Sequence, residues 1–140
     1  MEPGVKQIVI TDYDLERLKS LIGGMRNRAL RDSKHLKELS DELGRAVVVN
    51  SQEIPLDVVT MNSRVVLEDL DSGETLELTL SFPSDTDGGE GRVSVLAPIG
   101  TAIIGYRKGD VVEWDVPGGR RRLLVKDLPY QPESAGDYDL

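Results

Sequence analysis

The sequence predicts an α+β fold in which two short helices precede a small antiparallel β-sheet. The length of 140 residues suits one domain, or one domain with a small appendage. Apolar residues recur with a helical period up to residue 49 and alternate along the chain after it. The charge changes at the same point: residues 1–49 carry 9 Lys and Arg against 8 Asp and Glu, and residues 50–140 carry 8 against 17. We therefore predict an N-terminal helical part, 1–49, and a C-terminal sheet domain, 50–140.

The first helix is predicted to begin at Thr11 and to end at Gly23 and Gly24. Threonine is a common N-cap residue, and its hydroxyl oxygen is placed to accept the backbone N–H of Asp14. An acidic residue in the first turn also faces the positive end of the helix dipole. The apolar stripe of this helix consists of Leu15, Leu18, Leu21 and Ile22.

The second helix is predicted between a cap at Ser33 and a C-terminal glycine, Gly44. Its apolar stripe is Leu36, Leu39 and Leu43. Because isolated helices shorter than about 12–15 residues are marginal in water, we predict that the two stripes pack as a short antiparallel coiled-coil hairpin. The tip of that hairpin is basic. It is either a solvated loop or a binding site for an anion or an acidic protein. Its arginines are Arg26, Arg28 and Arg31.

The second part is predicted to form an antiparallel sheet of about four to six strands with one helix packed on it. Pro98–Gly105 fits that helix, since proline is tolerated in a first turn and glycine ends a helix. Turns are predicted at Asp71–Gly73 and Pro117–Gly119. We expect an exposed loop at Ser84–Gly91 and a surface or frayed tail at Gln131–Leu140. The predicted strands are 64–67, 76–80, 92–96, 111–116 and 123–128.

The composition excludes several kinds of chemistry. The chain has no cysteine and a single histidine, so disulfides, thiol nucleophiles, zinc-thiolate sites and histidine metal clusters are not expected. A net charge of −8 argues against wrapping of a nucleic acid. We expect no cofactor, no metal and no catalytic residue. The residues favour a binding module over an enzyme.

The location of the protein is predicted from its apolar runs and its first residues. No apolar run approaches the ~20 residues that span a bilayer. Met1–Gly4 also lacks the basic and then hydrophobic pattern of a secretion leader. We therefore expect a cytoplasmic protein with no membrane partner.

Three segments of the chain carry a resemblance to known proteins: VSVLAPIGTAIIGYRKGD at Val93–Asp110, with APIG at Ala97–Gly100, DVVTMNSRV at Asp57–Val65 and YQPESAGDYDL at Tyr130–Leu140. With these segments the chain resembles the bacterial Gre transcript-cleavage factors, and more closely the Rnk family related to them. The resemblance spans nearly the whole chain, although the first helix matches only in type. It implies an FKBP-like C-terminal domain behind the helical hairpin.

The resemblance implies binding to RNA polymerase near the rim of its secondary channel, the pore that leads to the active centre. In Gre factors two acids at the hairpin tip help to hold a catalytic magnesium ion, whereas this tip has arginines and Asp32 as its only acid. The turn that opens the sheet-domain helix belongs to the Gre docking surface, and here Leu96 and Ala97 replace an acid and a serine. The residues implied in polymerase binding are Leu96, Ala97, Pro98, Ile99 and Gly100.

The predicted function is therefore that of a non-catalytic transcription regulator, which binds polymerase and competes with Gre-type factors without stimulating transcript cleavage. Two alternatives stay open. The family name suggests a regulatory partner of nucleoside diphosphate kinase, a nucleotide-metabolising enzyme. An FKBP-like fold suggests a peptidyl-prolyl isomerase, although the pockets of such enzymes are aromatic-lined and this chain has 1 Phe and 1 Trp.

Overall fold

The computed structural model describes residues 8–25, 33–83, 91–116 and 119–137. Within these ranges the chain forms three helices, a two-stranded sheet and a five-stranded sheet. The helices are α1 (Asp12–Gly23), α2 (Lys34–Gly44) and α3 (Pro98–Ile103). The strands are β1 (Val9–Thr11), β2 (Val47–Val49), β3 (Arg64–Asp69), β4 (Thr75–Ser81), β5 (Arg92–Ser94), β6 (Val111–Val116) and β7 (Gly119–Tyr130).

The two predicted N-terminal helices are confirmed, and their ends lie where the capping residues indicate. The Thr11 hydroxyl oxygen accepts the backbone N–H of Asp14 at 3.0 Å. Gly24 forms the C-cap of α1, and Ser33 is the N-cap residue of α2. Thr11 therefore caps α1 through its side chain, whereas Ser33 makes no side-chain cap hydrogen bond and the C-cap of α2 is Arg45, one residue after the predicted Gly44.

Two short strands close the base of the helical part. Strand β1 leads into α1, β2 follows α2, and the two strands pair in parallel with Val9 opposite Val47. The Val47 N–H donates to the Ile8 carbonyl at 2.9 Å. This pairing ties the start of the helical part to its end.

The five-stranded sheet has the order β5-β4-β3-β7-β6. Strands β3, β4, β6 and β7 pair antiparallel, as predicted, but β5 runs parallel to β4. The expectation of a wholly antiparallel sheet was therefore wrong at this edge. A tight turn forces antiparallel pairing, whereas β4 and β5 are joined by the long connection 82–91, which gives the chain room to return before it pairs.

The predicted turns agree with the sheet. Gly73 has a φ of +78° between β3 and β4, a conformation that glycine adopts without strain. Strands β6 and β7 form a hairpin in which Val116 pairs with Gly119. The two residues between them, and the predicted exposed loop from Ser84, lie outside the described residues except for Gly91.

One hydrophobic core serves both parts of the chain. It contains Leu18 of α1, the α2 stripe, and side chains from the sheet and α3. Helix α2 packs against α3, so the helical part lies directly on the sheet part. The shared core consists chiefly of Ile8, Ile10, Leu18, Leu36, Leu39, Leu43, Val59, Met61, Val65, Leu67, Leu78, Leu80, Val95, Ile103, Ile104 and Val125.

The segment after β7 is anchored, contrary to the expectation of a loose tail. Gln131 and Glu133 are buried. The Gln131 side-chain amide donates to the carbonyls of Pro55 and Val58 at 2.9 and 2.7 Å. The polar sequence of this segment predicted exposure. Its burial depends on hydrogen-bond partners distant in the chain, which the sequence does not reveal.

Gly105 lies where the helical part meets the sheet part. It has a φ of +81°, and a Cβ at this position would lie 2.6 Å from the Cβ of Ile8. Its carbonyl accepts the N–H of Val9, and its own N–H donates to the Val59 carbonyl. A side chain here would disturb both the backbone conformation and the contact between the two parts.

We predict that Gly105→Ala lowers the free energy of unfolding by at least about 1 kcal/mol more than Gly73→Ala, measured by urea denaturation. Gly73 is the matched control, since its φ is +78° and a Cβ there would meet no atom of the described residues within 4 Å. Both variants should lose about 1–2 kcal/mol from backbone strain, and only the first also meets Ile8. Equal losses would contradict a close contact at Gly105.

Candidate functional site

The turn between β5 and α3, together with the start of α3, holds the five residues predicted to bind a partner. Ser94 orders the turn: its hydroxyl oxygen accepts the N–H of Leu96 at 3.0 Å, and its carbonyl accepts the N–H of Ala97 at 3.0 Å. Ala97 is the N-cap residue of α3, and Pro98 begins the helix. We call Leu96–Gly100 the β5–α3 turn, although its last three residues form the start of the helix.

Gly100 explains how the turn lies so close to the sheet. A Cβ on Gly100 would lie 2.3 Å from the carbonyl oxygen of Ser94 and 2.9 Å from the Cα of Val95. The Thr101 hydroxyl also donates to the Pro98 carbonyl at 2.9 Å. Helix α3 can therefore pack onto the end of β5 only with glycine at this position.

The outer surface of the turn is apolar. Pro98 is exposed, whereas Leu96, Ala97 and Ile99 are half-buried and Gly100 is buried. Proline also restricts the backbone, so little conformational freedom remains to be lost on binding. The turn thus presents a small, ordered and apolar surface.

A buried carboxylate joins the helical part to the sheet part. Asp14, in the first turn of α1, has no exposed surface. One of its oxygens, Oδ2, accepts the backbone N–H of Met61 at 3.1 Å, and Oδ1 lies 2.6 Å from Nη2 of Arg17. Both oxygens are thus engaged, and one of them holds a segment 47 residues further along the chain.

A second buried acid holds the same segment from the C-terminal side. Glu133 Oε1 accepts a hydrogen bond from the Thr60 hydroxyl at 2.6 Å. Ser63 Oγ accepts the Thr60 N–H and is also hydrogen-bonded to the Thr60 hydroxyl. Asn62 within this segment has a φ of +67°. We call Thr60–Ser63 the joint turn, because Asp14 and Glu133 hold it from two different parts of the chain.

Burial dominates the electrostatics of these acids. Loss of solvent raises the pKa of Asp14, while its hydrogen bonds with Arg17 and Met61 act in the opposite direction. Burial likewise raises the pKa of Glu133, the Thr60 hydrogen bond lowers it, and the negative charge of Asp14 raises it further. The negative charge of Asp14 therefore disfavours ionisation of Glu133 across the joint turn.

A third contact joins the two parts near Gly105. The Tyr106 hydroxyl donates to Oε1 of Glu42 on α2 at 3.3 Å. Burial, followed by the charge of Glu42, raises the pKa of Tyr106 well above its usual range, so the hydroxyl keeps its proton and remains a donor. Helix α2 is thus tied to the chain segment that leaves α3.

Metal sites and membrane spans are not found in the described part of the chain. Among the described residues, no group of three His, Cys, Asp or Glu side chains could hold a metal ion. Within the same ranges, no helix is long and apolar enough to cross a membrane. The predicted tip residues Arg26, Arg28 and Arg31 lie outside these ranges.

The sequence alone did not reveal that Asp14 and Glu133 hold the joint turn. Asp14 was assigned only a role in the first turn of its helix, which it also has. Its partner Met61 and the acid Glu133 lie in two of the segments that carry the family resemblance. That resemblance was the one available signal, since spacing in the sequence cannot reveal contacts between residues so far apart.

The two halves of the chain match two described families. Residues 54–130 match the GreA/GreB transcription elongation factor C-terminal family, and residues 6–49 match the Rnk N-terminus. This chain belongs to the GreA/GreB and Rnk family. The first match includes the β5–α3 turn and the joint turn, and the second includes Asp14.

Relatives of this family member are similar over most of its length. The regulator of nucleoside diphosphate kinase of Escherichia coli K12 is 42% identical over 132 residues, which are 94% of this chain and 95% of the relative. Transcription elongation factor GreA of a Clostridium botulinum strain is 34% identical, over 73% of this chain and 63% of its own. These relatives are named as a regulator and a transcription factor, so this chain is a regulator related to transcription elongation factors.

A solved structure shares the fold. The chain aligns with a prokaryotic GreA/GreB transcription elongation factor from Nitrosomonas europaea at 38% identity and a TM-score of 0.73. The alignment covers 90% of this chain and 100% of that one. The mixed arrangement of few helices and a β-sheet is therefore that of a Gre-like factor, while the coiled-coil and FKBP-like details of the prediction stay predictions.

We predict that Glu133→Gln becomes progressively more stable relative to the wild type as the pH rises from about 4 to about 7. A carboxyl group with a raised folded pKa contributes stability below its unfolded pKa, near 4.5, and loses it as the pH rises through the folded value. Glutamine cannot ionise, and its amide oxygen can still accept from Thr60.

Urea denaturation at several pH values would measure this difference, with Glu16→Gln on the exposed surface of α1 as the control. The control difference should vary less with pH than that of Glu133→Gln. A Glu133→Gln difference that shrinks as the pH rises would show that the acid is stabilised as its anion.

Proposed function

We propose that this protein is a non-catalytic transcription regulator that binds RNA polymerase near the rim of its secondary channel. The observation that carries the proposal is the partly exposed apolar segment Leu96–Gly100, ordered by Ser94 and within the part that matches the GreA/GreB C-terminal family. Its resemblance to the Gre docking turn supports polymerase as the partner. The other contact surfaces of the family are then expected to lie around this turn.

The second element of the proposal is the helical hairpin. Helices α1 and α2 have 12 and 11 residues, which correspond to lengths of about 18 and 16 Å. A hairpin of this length, carried beside the docking turn, is too short to reach as far as a Gre hairpin. We therefore propose that it occupies the channel entrance and excludes Gre-type factors from it.

The absence of cleavage activity is proposed from the tip sequence. The tip Gly23–Ser33 has Arg26, Arg28 and Arg31, and Asp32 is its only acid. A guanidinium group donates hydrogen bonds and cannot coordinate a cation. The pair of carboxylates with which Gre factors hold magnesium thus has no counterpart in this tip sequence, and cleavage of backtracked RNA should not be stimulated.

A second candidate function rests on the name of the Escherichia coli relative, a regulator of nucleoside diphosphate kinase. The name fits a protein that binds this enzyme directly. It also fits one that changes the enzyme indirectly, through transcription. Copurification of the kinase without polymerase would favour direct binding. The isomerase alternative has only the FKBP-like prediction behind it, and a proline-isomerisation assay tests it.

We expect core RNA polymerase to retain the purified protein in a pull-down, and excess Gre factor to displace it. Pro98→Ala and Leu96→Asp should each weaken this binding, by about fivefold or more if the residue is an energetic centre of the contact. Leu56→Ala, which alters an exposed leucine elsewhere, should bind as the wild type does.

The same complexes provide the test of catalysis. Stalled elongation complexes with backtracked RNA should be cleaved no faster when the protein is added, and its presence should slow Gre-stimulated cleavage. Faster cleavage with the protein alone would contradict the non-catalytic role, and failure to bind polymerase at micromolar concentration would contradict the proposal as a whole.

A further inference from the structure

An arginine lies between two aromatic rings at the boundary of the helical and sheet parts. The Cζ atom of Arg17 is 3.9 Å from the ring centroid of Tyr13 and 4.6 Å from that of Phe82. Tyr13 and Arg17 belong to α1, whereas Phe82 follows β4. We call Tyr13, Arg17 and Phe82 the aromatic cluster.

Phe82 of the aromatic cluster lies at the same end of the sheet as the β5–α3 turn. Strand β4 pairs in parallel with β5, with Ser81 opposite Ser94, and the Val95 N–H donates to the Ser81 carbonyl at 2.8 Å. Phe82 directly follows Ser81, and Leu96 directly follows Val95. Phe82 and the predicted docking turn therefore follow the same end of these two paired strands.

The aromatic cluster is both accessible and ordered. Tyr13 is 38% exposed, the Arg17 side chain is 25% exposed and Phe82 is half-buried. The ion pair with Asp14 and the contacts with both rings fix the guanidinium group. Tyrosine and arginine are enriched among residues that dominate protein interfaces, and ordered side chains lose less entropy when a partner binds.

The charge of the cluster indicates what kind of surface it fits. Asp14 compensates the positive charge of Arg17 at 2.6 Å, so the cluster is close to neutral. The neighbouring turn is apolar, with Leu96, Pro98 and Ile99 at or near its surface. Together they form a largely apolar surface, with the guanidinium of Arg92 nearby, where it donates to the Ser81 hydroxyl at 3.2 Å. Because the contact area is apolar and the charge of Arg17 is compensated, we infer that it fits an apolar protein surface better than a nucleic acid.

We propose that RNA polymerase contacts a composite surface, in which the aromatic cluster extends the β5–α3 turn across the boundary onto α1. This inference rests on the proposed function, from which it takes the partner. Because Asp14 also accepts the Met61 N–H, the same carboxylate that orders Arg17 fixes α1 against the sheet part. The composite surface thus depends on the contact between Asp14 and the joint turn. Docking then requires the correct position of α1 as well as the β5–α3 turn.

The test measures the affinity of core RNA polymerase for Tyr13→Ala, Tyr13→Phe and the control Leu76→Ala. Tyr13→Ala removes an exposed ring and should weaken binding about fivefold or more. Tyr13→Phe keeps the ring and should bind within about twofold of the wild type. Leu76 has similar exposure, 48%, at the opposite end of β4 from Phe82, so its loss should not change affinity.

A second variant, Phe82→Leu, tests the contribution of the ring without unfolding the protein, since it removes the ring but keeps an apolar side chain. It should also weaken binding, and thermal melting should show each variant folded at the assay temperature. The ratio of wild-type to Tyr13→Ala affinity should stay within about twofold between low and high salt, because a neutral apolar contact is screened little.

Pro98→Ala separates this inference from the proposed function. If Pro98→Ala weakens binding while Tyr13→Ala and Phe82→Leu bind as the wild type does, the turn docks alone and the composite surface is wrong. If the wild type itself does not bind polymerase, the proposed function is wrong, and the composite surface fails with it. A loss caused by Tyr13→Ala that vanishes at high salt would overturn the apolar character of the contact.

Discussion

The structure depends on one buried carboxylate, that of Asp14. It accepts a backbone N–H from Met61 and a guanidinium N–H from Arg17, with no exposed surface of its own. A buried charge is tolerated only when its hydrogen-bonding capacity is used, and here that requirement can be met only if α1 lies against the joint turn. Satisfying this acid therefore fixes the start of α1 against the sheet part, while the shared hydrophobic core holds the rest of the helical part there.

The remaining contacts between the parts are consistent with that position. Ile8 fills the space that a side chain on Gly105 would occupy, and Glu42 accepts from Tyr106. The leucines of both N-terminal helices join the core of the sheet. In the proposed mode of binding, the helical part points into the channel entrance while the sheet part docks outside, so a fixed angle between the two parts is as important as either surface.

Much of the fold was predictable because local chemistry specifies it. The Thr11 cap, Gly73 in a left-handed turn and Pro98 at the start of α3 each act on neighbouring residues, and each was found where the sequence indicated. The direction of β5 was not predictable, since alternating apolar residues reveal a strand but not which way it pairs. The candidate turn was indicated by family resemblance, whereas its hydrogen bonding to Ser94 emerged only from the structure.

The sequence by itself determined the three helices, the five strands of the larger sheet, their order, the acidic and cysteine-free composition and the absence of an acid pair at the tip. The parallel pair of β1 and β2 was not predicted. The tertiary structure alone decided that Asp14 and Glu133 hold one turn, that Gln131 is anchored, and that Arg17 lies between Tyr13 and Phe82. The physical reason is distance along the chain. Periodicity and capping act over a few residues, but a buried polar group is stabilised by whatever partner the fold brings to it, and no local pattern encodes that partner.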